Sequence, residues 1–141
     1  MKWPWQKPPK KLVLCMVAPS ATKRIAEELG EQRTFTVYPI LYGDYDEIID
    51  DCVECGADIL AIEVAPDADD CDRDVSSRCD LAIELREKWP QCKVYLLCRS
   101  AYAHVEPALQ EAQASALIDG YHIGEPFTPQ IREWLTQAER G

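Results

Sequence analysis

The stretch Asp58–Val64, DILAIEV, is a short apolar run bounded by Gly56 on one side and Pro66 on the other. Apolar side chains at consecutive rather than alternating positions describe a strand covered on both faces. Such a strand belongs to a parallel sheet, so its neighbours should alternate between helix and strand. Upstream, Lys11–Val17 (KLVLCMV) is another buried run, and Ser20 can cap a helix that stops at Gly30. Thr34–Leu41 (TFTVYPIL) is β-branched and aromatic, with Pro39 marking an edge or a turn. Asp44 caps a second helix with acids in its first turns, reaching about Cys55 before Gly56. Downstream, a long helix is predicted from about Val75 to Lys88, with Cys79, Ala82, Ile83 and Leu85 inward and Trp89-Pro90 ending it. Cys92–Cys98 (CKVYLLC) is a fourth strand, and Glu106-Pro107 opens a fourth helix. Leu117–Ile123 holds the fifth strand. Thr128 caps a last helix with Pro129 at its first position and Ile131, Trp134 and Leu135 on its apolar face.

Five strand–helix alternations imply right-handed βαβ crossovers and a three-layer (βα)5 sandwich of the flavodoxin-like kind. Its five parallel strands are expected in the order 2-1-3-4-5. The chain has 141 residues, 47% of them hydrophobic and 28% charged, which suits one globular domain with a real core. Residues 1–10 (MKWPWQKPPK) stand apart as an extended basic arm carrying Trp3 and Trp5, and residues 11–141 form the domain. Residues 1–11 hold four lysines and no acid, so the remaining 130 residues carry a net charge of −14. An acidic body repels phosphate backbones and anionic lipid, which argues against nucleic acid and membrane as partners. No apolar run approaches the roughly 20 residues of a membrane span. The seven cysteines, an odd count in a chain with a good core, point to reduced thiols and a cytoplasmic location. In sheets of this type ligands gather beyond the carboxyl ends of the strands, so chemistry is sought on that rim.

Three segments carry a resemblance. GADILAIEVAP (56–66), LAIELREKWPQCKVYLLC (81–98) and ALIDGYHIGEPFTPQIREWL (116–135) are similar to the third strand, the third helix with the fourth strand, and the end of a response-regulator receiver domain. The likeness covers residues 11–138 in element order and is detailed over 56–66 and 81–135. It implies a signalling domain. In that family an Asp at the end of strand three accepts a phosphoryl group, and an acidic pair after strand one holds magnesium. A Ser or Thr after strand four and a Lys after strand five contact the phosphoryl group. Here the Asp position falls on Glu63, the acidic pair near Met16 and Val17, the hydroxyl on Cys98 with Ser100 two residues beyond, and the Lys on Gly124 or Glu125. One carboxylate is a poor site for a hard, octahedral cation. The resemblance is therefore to a degenerate receiver, with Met16, Val17, Cys98, Ser100 and Glu125 around a vacated pocket and no metal, cofactor or enzymatic activity expected.

Glu63 is one methylene longer than Asp and could hold negative charge where an aspartyl-phosphate would. The plainer expectation is a strand-end carboxylate facing solvent, since no lysine stands ready to pair with it. Tyr121 matches the aromatic that changes rotamer in receivers. The family's contact face would here involve Tyr102, Tyr121, His122, Ile131 and Trp134, although Trp134 is equally suited to a core. Function by protein–protein contact is thus expected, with a homodimer as one form and the Trp3/Trp5 arm as a docking element. No output domain is expected after the last helix.

Two alternatives belong to other classes. Cys15, followed by a loop and a helix, resembles the phosphocysteine loop of sugar-transport IIB proteins, where a helix N-terminus favours a thiolate. That would make the chain a phosphocarrier or thiol enzyme. The vacated pocket could instead serve a small-ligand sensor. Cys52 and Cys55 have a CxxC spacing but no second pair to complete a zinc site. The acids Asp67, Asp69, Asp70, Asp72 and Asp74 lack the glycine and closing glutamate of a calcium loop.

Overall fold

The computed structural model describes residues 9–30, 35–40, 44–64 and 71–140. Along these residues run β1 (Lys10–Cys15), α1 (Pro19–Gly30), β2 (Phe35–Ile40), α2 (Tyr45–Cys55), β3 (Ile59–Glu63), α3 (Cys71–Lys88), β4 (Lys93–Cys98), α4 (Glu106–Ala114), β5 (Gly120–Ile123) and α5 (Thr128–Arg140). A short 3-10 stretch, Ser100–Val105, precedes α4. The sheet is parallel throughout, in the order β2-β1-β3-β4-β5. This is the predicted flavodoxin-like topology.

The strands' continuous apolar runs are explained by the two layers they feed. Val13, Cys15, Leu60, Ile62, Val94, Leu96 and Cys98 face a core shared with α2, α3 and α4. Their neighbours Leu12, Leu14, Ile59, Ala61, Tyr95 and Leu97 face a second core under α1 and α5. Every residue of β3 is buried, as its central place requires. Pro39 lies in β2, opposite Leu14, on an edge strand where its missing N–H costs no interior ladder bond.

Local signals hold where they rest on backbone chemistry. Asp44 occupies the N-cap of α2 in extended conformation, though its side chain makes no capping hydrogen bond, and Gly56 ends that helix at φ +71°, in the left-handed region that glycine enters without penalty. α4 opens at Glu106 with proline in its first turn. Other expectations are corrected. β1 stops at Cys15, so Met16 and Val17 belong to the turn after it. α3 begins at Cys71 rather than near Val75, and its inward stripe takes Leu81 in place of Ile83, which is 42% exposed. A helix that buries Val75, Cys79, Ala82 and Leu85 turns position 83 outward. Thr128 opens α5, but its hydroxyl donates to Glu28 and joins α5 to α1.

Candidate functional site at the carboxyl rim of the sheet

The parallel register brings the strand ends to one rim: Cys15 lies beside Ile62, and Glu63 beside Leu97. Glu63 ends β3 and is 2% exposed. Its Oε1 accepts the Val17 backbone N–H at 3.1 Å, and its Oε2 accepts Arg99 Nε at 3.0 Å. The Arg99 side chain is 42% exposed while that of Glu63 is 3% exposed, so the arginine spans from solvent to a buried carboxylate. A buried charge persists only with a partner and hydrogen bonds, and this geometry supplies both. The expectation of a solvent-facing carboxylate is therefore corrected. The cation arrives from the end of β4, not from the end of β5.

The next link joins β4 to β5. Ser100 donates its backbone N–H and its hydroxyl to the two carboxylate oxygens of Glu125, at 3.2 and 2.9 Å. Glu125's own backbone N–H, then the Ser100 hydroxyl, hold its carboxyl below the usual range. Gly124, at φ +109°, donates its N–H to the Cys98 carbonyl at 2.9 Å. Direct bonds thus connect the ends of β1, β3, β4 and β5: Val17 to Glu63, Glu63 to Arg99, and Ser100 to Glu125.

The remaining rim residues divide. Met16 is buried in the core under α1, whereas Val17 is 44% exposed. Cys98 is not a rim residue: it is fully buried, and its thiol donates to the Arg99 and Tyr102 carbonyls at 3.5 Å. Among the described residues two clefts adjoin this rim, and Glu63 is not in the lining of either. One, of about 570 Å3, lies between α1 and β2 against Met16, Val17 and Ile40. The other, of about 330 Å3, lies between α1 and the turn into α5, against Arg24, Glu28, Arg99, Glu125 and Phe127.

The predicted contact face does not form as a unit. Ile131 is fully buried and Trp134 is 6% exposed, its indole stacked on the Tyr95 ring with centroids 4.3 Å apart. Both are core residues, because α5 turns its single apolar stripe onto the sheet. Tyr102 and Tyr121 pack partly against the core under α3 and α4, and the Tyr121 hydroxyl donates to Glu106 at 3.2 Å. His122 points to the opposite side of β5 and meets Phe127 edge-on at 6.3 Å. Trp3, Trp5, Asp67, Asp69 and Asp70 lie outside the described residues.

The thiol chemistry is corrected as well. Cys15 is fully buried, and burial pushes its thiol up to about 12 despite the opposing field of Arg78. A neutral, enclosed thiol is no nucleophile at physiological pH. Cys52 is buried and Cys55 half-buried, and burial raises both. Arg78, itself buried, lies 3.7 Å from Asp74 and over the Tyr45 ring. Among the described residues no group of three or more His, Cys, Asp or Glu side chains is placed to hold a metal ion. Among them, too, no helix is long and apolar enough to cross a membrane.

Arg99 was not singled out in the sequence. Its only mark there is a basic residue just beyond a strand, and its partner is 36 positions away.

The chain matches no protein-family model and no curated protein. Solved structures do resemble it. The receiver (REC) domain of AraT, a response regulator from Geobacillus stearothermophilus, matches at a TM-score of 0.65 and 19% identity, over 93% of each chain. The response regulator TrrA from Thermotoga maritima, solved in complex with Mg2+-BeF, matches at 0.64 and 17%, over 92% of this chain and 98% of that one. TrrA has also been solved in complex with the histidine kinase ThkA. An adenylate cyclase from Rhodopirellula baltica matches at 0.70 and 10%, over 92% and 87%. At these identities the likeness is one of fold.

Proposed function

We propose that this chain of receiver fold is a signalling domain that accepts no phosphoryl group and acts through protein–protein contact. The observation that carries the reading is the Glu63 carboxylate, buried at the end of β3 with one oxygen on the Val17 N–H and the other on Arg99. Phosphoryl transfer to a carboxylate needs a free oxygen in line with the donor and a cation to offset the phosphate charge. Here both oxygens are engaged. The rim does not fit magnesium: Met16 and Val17 bring hydrocarbon where an octahedral dication needs oxygen ligands. Arg99 takes the cation's place as a permanent partner of the carboxylate.

A protein partner suits a domain whose rim, among the described residues, offers no acid–base pair or nucleophile. TrrA, bound by a histidine kinase, is an instance of that fold meeting a protein. With Ile131 and Trp134 in the core, the surface left for such contact is the Tyr102–Tyr121 side of α4 and β5, for another protein or a second copy of this chain.

The test is incubation with acetyl phosphate and magnesium, followed by intact-mass measurement. The mass should not change, and magnesium alone should not raise the melting temperature. A phosphoryl adduct on Glu63 would overturn the reading.

A further inference from the structure

The cleft between α1 and the turn into α5 has a composition that the signalling role leaves unexplained. Its volume of about 330 Å3 lies at the lower end of the range that small-molecule sites occupy. Met16, Ile25 and Phe127 supply apolar wall, and Arg24 and Arg99 are two basic residues of the same lining. Among the described residues Arg24 makes no hydrogen bond or ion pair, and Arg99 uses only Nε, on Glu63. The terminal nitrogens of both guanidinium groups therefore keep their donors. The two acids of the same lining are occupied differently: Glu28 accepts from the Thr128 hydroxyl, and Glu125 accepts twice from Ser100.

We infer that this cleft binds the oxyanion group of a small molecule through Arg24 and Arg99. A guanidinium presents paired donors that match a phosphate or carboxylate, and such charge-assisted bonds are the strong ones. α5 starts at Thr128 on the cleft's wall, so the positive end of its dipole adds to the same field. The carboxylates of Glu28 and Glu125 border the same cleft and oppose an anion there, which sets a modest affinity. Binding here is non-covalent and leaves Glu63 on Arg99 Nε, so it stands whether or not Glu63 can be phosphorylated.

The test is an NMR titration of the whole chain with inorganic phosphate and, separately, with acetate, each against sodium chloride at equal ionic strength. Saturable amide shifts at Arg24, Arg99 and Phe127 are expected, and the tighter of the two anions identifies the group. Arg24→Ala should weaken binding about tenfold, the loss of one charge-assisted contact. Lys23→Ala removes the same charge from the next position of α1, on the other cleft, and should change nothing. Absence of saturation with both anions would overturn the site, as would equal weakening by the two variants.

Discussion

Glu63 exchanges water for a backbone N–H and a guanidinium, and the exchange is stable only while both are present. Arg99→Ala should therefore destabilise the fold by about 1–3 kcal/mol, the cost of an under-bonded buried charge, reduced because the arginine is partly exposed. Glu63→Gln keeps an acceptor for Val17 and should cost less. In the double variant the two losses should fall short of their sum, since neither partner is then left alone. Urea denaturation of the four proteins measures this, and strictly additive losses would mean that the pair contributes nothing. Half of the arrangement is legible in the sequence. A carboxylate ending an apolar run must lie at the rim of a sheet. Its partner is set by the parallel register of β3 and β4, which no local pattern encodes.

The apolar face of α5 follows from the spacing of Ile131, Trp134 and Leu135, but helical spacing does not say whether a face meets a partner or a core. The sheet decides it here: Tyr95 projects from β4 and stacks on Trp134 at 4.3 Å, 16° from parallel. Gly120 of β5 makes room for that stack. A Cβ at position 120 would stand 3.1 Å from two atoms of the Tyr95 ring. Gly120→Ala should displace the ring and cost about 1–3 kcal/mol, the usual penalty for overfilling a packed core. Chemical denaturation gives the loss, and near-ultraviolet circular dichroism should show the Tyr95–Trp134 environment altered. A neutral substitution would mean that the stack tolerates displacement. The sequence signals of β5 were blurred by the same packing. Leu117–Ile123 reads as one strand although Asp119 and His122 interrupt it, yet only Gly120–Ile123 pairs with β4.

Taken whole, the domain stores its described cysteines as apolar matter rather than as chemistry. Burial pushes both Cys15 and Cys92 from 9.0 up to about 12. A thiol raised in this way stays neutral in the fold after its unfolded counterpart has ionised. Its contribution is complete below about pH 9 and is lost progressively as the pH rises toward 12. Denaturation midpoints should therefore be level from pH 7 to 8.5 and fall above 9. Cys15→Ala should flatten that fall, whereas an unchanged slope would place the alkaline loss on other groups.

Alternation of apolar runs, caps and breakers by itself determined five βα units, hence the sheet order and the rim, because those features act within a few residues and topology rules leave little choice. It also placed Met16 and Val17, which carry no side-chain oxygen, after β1. The tertiary structure alone decided which residues meet at the rim. The Glu63–Arg99 pair, the Ser100–Glu125 clamp and the inward turn of Trp134 join residues 25 to 39 positions apart. Such contacts depend on strand register and helix rotation, which are settled only when the layers pack.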